Sequence, residues 1–169
     1  MPRIDPQDVS LIPATPADLP VLLEYMKGLR ADDPMPAATL ASDADSAAVM
    51  GQLLADESLG HVWLIRAAET VVGYAVLTYV LSLELGGQCG FVDEFYVAPQ
   101  ARGRGVGRRA MQLVNEEAQR LGLRALLLEV SPENERACGL YRSAGFVERK
   151  YRLMIKRIQS SDYTRCGDT

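Results

Sequence analysis

The sequence predicts an α/β fold, and three observations carry that reading. A stretch at 91–109, FVDEFYVAPQARGRGVGRR, opens with a run rich in aromatic and β-branched residues and passes through a glycine-rich turn into a helical pattern. A nearly continuous apolar run at 125–130 follows that helix, as expected of a strand covered on both faces. The order strand, helix, strand implies a right-handed connection between two parallel strands. With 169 residues and no repeat, low-complexity tract or linker, the chain suits a single domain over 1–169. We expect its core at about 9–158 and a polar tail from 159 that frays.

Taken in order, residues 9–12 read as a short first strand. Thr15 is a helix N-cap, with Pro16 just inside and Asp18 in the first turn. Leu19, Leu22, Leu23, Met26 and Leu29 then recur at helical spacing to about Arg30, a stripe assigned to the core. Residues 31–36, with two acids and two prolines, form a loop, and a second helix lies within 42–55. Strands follow at 61–67 and 71–81 with a turn near Glu69-Thr70 between them. His61 reads as a strand-edge or surface residue and Trp63 as core. Leu85-Gly86-Gly87 turns the chain into the strand at 91–97, which Pro99 ends because proline has no N–H to continue a ladder. After Gly107, the residues Ala110, Met111, Val114, Ala118 and Leu121 make an apolar helix face, closed by Gly122.

The formal charge of −4 argues against general nucleic-acid affinity, which needs a basic surface. Against it, Arg102, Arg104, Arg108 and Arg109 form a positive island sized for a few phosphates. From 31 to 60 the chain is acidic, with Asp32, Asp33, Asp43, Asp45, Asp56 and Glu57 and no Lys or Arg. Cys89, Cys138 and Cys166 are widely spaced, without the paired spacing of a zinc or redox motif, and read as reduced thiols. Nowhere do 18 apolar residues follow one another. We expect a soluble cytoplasmic protein with no metal and no nucleic-acid or membrane partner; the sequence leaves a homodimer open.

The glycine-rich turn carries the chemistry. A turn of this kind feeding a helix exposes unpaired N–H groups at the positive end of the helix dipole, where phosphates bind. Its spacing fails the dinucleotide pattern, since Arg108 stands where a glycine is needed, and it lacks the Lys-Ser/Thr of a P-loop. It fits R-x-x-G-x-G at Arg102, Gly105 and Gly107. A second motif, N-x-x-A-x-x-x-Y-x-x-x-G-F, falls at Asn134, Ala137, Tyr141, Gly145 and Phe146, beyond the apolar strand. With both motifs in this order, the chain resembles the GNAT superfamily of acetyl-CoA-dependent N-acetyltransferases over roughly 9–158.

The resemblance implies a mixed, strongly twisted sheet of six or seven strands with helices on both faces, its fourth and fifth strands splayed at a bulge near Val97. It implies acetyl-CoA as co-substrate. The strand segment Phe95, Tyr96 and Val97 would hold the pantetheine arm through its main chain. The loop of Arg102, Gly103, Arg104, Gly105, Val106, Gly107 and Arg108 would hold the pyrophosphate, and Asn134 the pantetheine or phosphate portion. An amine must lose a proton before it attacks. Asp93 and Glu94 are the nearest carboxylates, and strand alternation lets only one face the cleft unless a bulge intervenes. The N–H of Val97 would support the developing oxyanion and Tyr141 would protonate the leaving thiolate. The implied reaction is direct attack by a primary amine, that of a small cationic molecule or peptide, in a ternary complex. A CoA-binding sensor or interaction module with little turnover is the alternative.

Overall fold

The computed structural model describes residues 5–32, 41–150 and 152–156. Their main elements are β1 (Val9–Pro13), α1 (Leu19–Asp32), α2 (Asp43–Ala55), β2 (Gly60–Ala67), β3 (Thr70–Ser82), β4 (Gly87–Val97), α3 (Val106–Arg120), β5 (Leu126–Leu128) and α4 (Glu135–Ser143). The strands make one mixed sheet in the order β1-β2-β3-β4-β5. Neighbours from β1 to β4 are antiparallel, and β5 runs parallel to β4. The parallel step is the one bridged by a helix, since a hairpin cannot join parallel strands.

Helices cover both faces of this sheet. On one side Leu22 and Met26 of α1 and Met50 and Leu53 of α2 pack on Val62, Leu64, Tyr74, Val76 and Tyr96. On the other, α3 sets Val106 and Ala110 against Ile65, Val72 and Val97, and Met111 and Val114 against Leu77 and Val92. β2 and the middle of β3 are therefore buried on both sides, which is why they read as apolar runs. Each fully buried Leu, Ile or Met side chain contributes about 1.5–3 kcal/mol.

Several expectations need correction. The described residues form five strands rather than six or seven. β5 keeps only the middle of the apolar run, and 146–150 and 152–156 carry no strand. There the charged side chains are held at the surface instead: Glu148 pairs with Arg142, and Arg149 with Glu84. α1 continues to Asp32, taking two residues from the expected loop. α3 begins at Val106, so Gly107 belongs to its first turn. Asp33 and the prolines of that loop, and the expected tail, lie outside the described residues.

The bulge lies at Asp93, not near Val97. Val76 pairs with Glu94 while Leu77 pairs with Val92, which leaves Asp93 as the extra residue. One extra residue reverses the alternation of faces beyond it. Val92 accordingly faces α3 beside Leu77, whereas Tyr96, opposite Tyr74, faces α1. Glu94, two residues before Tyr96 and opposite Val76, shares the α1 face. β5 pairs only with Gly90, Phe91 and Val92, so the two strands part company at the bulge.

Candidate functional site

Past the bulge, one edge of β4 is open. Ala98 donates its N–H to the carbonyl of Val72 at 2.8 Å. Alternation then directs the main-chain groups of Phe95 and Val97 to the other edge, beyond the end of β5. The chain next makes a 3-10 turn at Pro99–Ala101 and enters α3 through the glycine loop. Gly103 (φ +71°) and Gly105 (φ +81°) take the left-handed conformation that disfavours any side chain. Gly105 is the N-cap of α3 and supplies no capping side chain. The first-turn N–H groups of Val106, Gly107 and Arg108 thus have no partner within the helix, at the positive end of its dipole.

This geometry fits acetyl-CoA. Gly103, Arg104, Gly105 and Arg108 are exposed, as an anion site on a surface must be. A Cβ built on Gly103 would meet nothing within 4 Å. A Cβ on Gly107 would stand 3.6 Å from Leu140 Cδ2 and 3.9 Å from Val97 Cγ2, so the first turn of α3 lies between β4 and α4. Arg102 is different. Its Nε donates to the carbonyl oxygen of Val97 at 2.6 Å, and its guanidinium pairs with Asp32. That side chain is committed to the protein itself.

Carboxylates gather where the strands part. Glu94 is half-buried and accepts a hydrogen bond from the Tyr74 hydroxyl at 3.0 Å. Burial raises the Glu94 carboxyl; the Tyr74 bond opposes the rise, Asp93 adds to it, and Arg30 opposes it. Asp93 reaches solvent at the bulge, yet partial desolvation raises its carboxyl too. Glu129, just past β5, is raised by burial and then by the charge of Asp93. Opposite them, Tyr141 of α4 joins the cluster on the α3 face and meets the Phe146 ring edge-on at 5.8 Å. Asn134 caps α4, its Oδ1 accepting from the N–H of Ala137 at 3.1 Å.

Residues 24–146 match the acetyltransferase (GNAT) family model. The chain belongs to that family. It is 34% identical over 142 residues to an aminoglycoside N(6')-acetyltransferase of Stenotrophomonas maltophilia, covering 80% of this chain and 84% of that one. A solved integron cassette protein from a salt-marsh mobile metagenome is 35% identical with a TM-score of 0.74, over 92% of this chain and 93% of the other. A predicted acetyltransferase from Clostridium acetobutylicum, solved with acetyl-CoA, shares the fold at 17% identity and a TM-score of 0.72, over 88% of this chain and 96% of that one. Other curated relatives are matched only in part: the chain spans 52% of the length of one and 21% of another.

As a GNAT member the chain shows site neighbours that sequence reading missed. Tyr74 and Glu129 lie in no motif. Arg30, close enough for its charge to act on Glu94, reads in the sequence only as the approximate end of the first helix. The acidic 31–60 segment is partly spent internally: Asp32 on Arg102, Asp43 on Arg30, Asp45 on Ser42, and Asp56 on the N–H of Ser58. His61 stacks on Trp63 at 5.4 Å, as a sheet residue. Cys89 and Cys138 are buried free thiols. A cavity of about 780 Å³ opens elsewhere, between α3, the outer edge of β5 and Phe146, and none of the expected site residues lines it. Among the described residues no helix is long and apolar enough to cross a membrane, and no group of three metal-binding side chains occurs.

Proposed function

We propose that the protein transfers an acetyl group from acetyl-CoA to a primary amine by direct attack within a ternary complex. The acceptor is a small cationic amine or a peptide. One observation carries the reading: Glu94 and Tyr141 lie on opposite faces of the sheet, where β4 and β5 part beside an uncapped helix N-terminus. Acetyl-CoA supplies the acetyl group as an activated thioester.

The chain's own residues divide the work. Backbone N–H groups of Val106, Gly107 and Arg108, with the charges of Arg104 and Arg108, hold phosphate. The edge of β4 at Phe95 and Val97 orients the extended arm, with Asn134 near it, and the N–H of Val97 donates to the oxygen that gains charge. Glu94, lifted by burial toward the range of a useful base, takes the proton of the ammonium directly or through water. Asp93, raised by the same cause, is the second candidate. Tyr141 gives a proton to the departing sulfur, a role open to a phenol O–H as a hydrogen-bond donor. No cysteine nucleophile is required.

The carboxylates of Asp93, Glu94 and Glu129 favour a cationic acceptor, as does the likeness to an aminoglycoside acetyltransferase. The test is release of free CoA thiol with a matched panel of cationic and neutral primary amines. Thiol release that depends on the amine, and is faster with cationic amines at low salt, is the expected result. Acetyl-CoA binding without amine-dependent release would overturn the transferase reading in favour of a sensor.

A further inference from the structure

Tyr74 is fully buried in the sheet, yet its hydroxyl is directed at an acid of the site. The arrangement follows from the bulge. Tyr74 of β3 stands opposite Tyr96 of β4, and Glu94, two residues earlier, is its diagonal neighbour on the same face. Diagonal neighbours across antiparallel strands are within reach only of long side chains, and tyrosine and glutamate suffice. Were Asp93 drawn into regular pairing instead of bulged out, Glu94 would face α3 and the pair would not exist.

The phenol has little freedom. Its ring is stacked against Tyr25 at 6.3 Å with 13° between planes, and tilted against Tyr96 at 6.3 Å. Tyr25 is itself held, its O–H donating to the carbonyl of Val71 at 2.8 Å. Burial and the neighbouring Glu94 charge raise the Tyr74 hydroxyl far above its ordinary value, so it stays a donor. The other charges facing Glu94 are Arg30 from α1 and Asp93 beside it on β4.

We propose that Tyr74 is a positioning residue for the acetyl-transfer reaction: its hydroxyl holds Oε2 of Glu94 and leaves Oε1 as the oxygen that takes the proton from the acceptor ammonium. The inference rests on the reading of Glu94 as the base. During the transfer the proton moves from the ammonium nitrogen to Oε1, while the Tyr74 proton remains on its own oxygen. A tyrosine donor to the charged form also keeps the base usable at lower pH than burial alone would allow.

The experiment compares pH profiles of kcat/KM for wild type, Y74F, E94Q, the double variant and Y25F. Phenylalanine keeps the ring and its packing and removes only the hydroxyl. Y74F is expected to lower kcat/KM about tenfold, the scale of a hydrogen bond to a charged group, and to move the acidic limb to higher pH, with KM for acetyl-CoA unchanged. E94Q is expected to lose about 10² or more, and Y74F to cost little further in that background. Y25F, which loosens the same aromatic cluster without touching Glu94, is expected to leave the limb in place. Near-normal activity in E94Q would overturn the base assignment itself. An inactive E94Q with an unmoved limb in Y74F, equal shifts in Y74F and Y25F, or a full Y74F penalty in the E94Q background would overturn the role of Tyr74 alone.

Discussion

Arg102 is bound to the strand it follows: its Nε donates to the Val97 carbonyl at 2.6 Å. The same guanidinium pairs with Asp32 at the end of α1 and lies 5.3 Å from the centre of the Tyr96 ring. One side chain thus ties the glycine loop to the end of β4 and to a helix on the far face. The first arginine of the motif braces the loop from within.

Removing that brace should loosen the loop before acetyl-CoA arrives. Arg102→Ala is expected to weaken acetyl-CoA binding by about tenfold, roughly 1.4 kcal/mol. Arg102→Lys should restore little, because an ammonium lacks the planar fork that serves both partners and lies on the ring. Calorimetry with acetyl-CoA checks this. Full affinity in the lysine variant would mean that charge alone matters at this position.

Gly105→Asp combines two faults. It puts a side chain at φ +81° and a negative charge at the uncapped end of α3. A loss of at least about tenfold in acetyl-CoA affinity is expected, with the fold retained by circular dichroism. Unchanged affinity in a folded variant would remove this loop from the binding site.

Tyr141→Phe should keep its edge-on packing with Phe146 and lose only the hydroxyl. The expected outcome is a fall in kcat of about 10² to 10⁴ with acetyl-CoA affinity nearly intact. Single-turnover kinetics and a binding isotherm separate the two. A rate within about twofold of wild type, far short of that range, would make Tyr141 a packing residue.

Glu94 should cost the fold something. Its carboxyl is raised above the ordinary 4.5 by burial, so the folded protein holds that proton more tightly than the unfolded chain does. As pH climbs from about 4.5 through the raised value, the unfolded state releases its proton first and stability declines. Above that window the penalty is complete and constant. Glu94→Gln should therefore raise Tm at pH 7, by about 2–4 °C for each kcal/mol relieved, and the gain should vanish below the window. Thermal scans across pH test it; an equal gain at acid pH would mean that packing, not charge, is responsible.

What could be read from the sequence is what is written locally. Gly122 takes positive φ just past the end of α3, where spacing alone announced it. Asn134 caps α4 three residues from its partner, and Gly103 and Gly105 turn the chain into α3, so their motifs are equally local. The rest depends on pairings between distant residues. Tyr74 and Glu94 are 20 positions apart, Asp32 and Arg102 are 70, and neither pair follows a period that a single strand or helix displays. The bulge is the clearest case. Asp93 becomes an extra residue only by comparison with β3, so the strand's own alternation could not say which acid faces which side.

That bulge also makes the site sensitive to register. Asp93 stands outside the ladder, and for that reason Val92 and Glu94 are next to each other in the pairing with Leu77 and Val76. Deleting it would close the ladder over the same partners and leave Glu94, Phe95 and Tyr96 on the faces they now hold. Drawing it into the pairing, with no residue lost, would instead turn every side chain after it to the other side of the sheet. A gene can dispense with this codon more readily than the fold can straighten the strand around it.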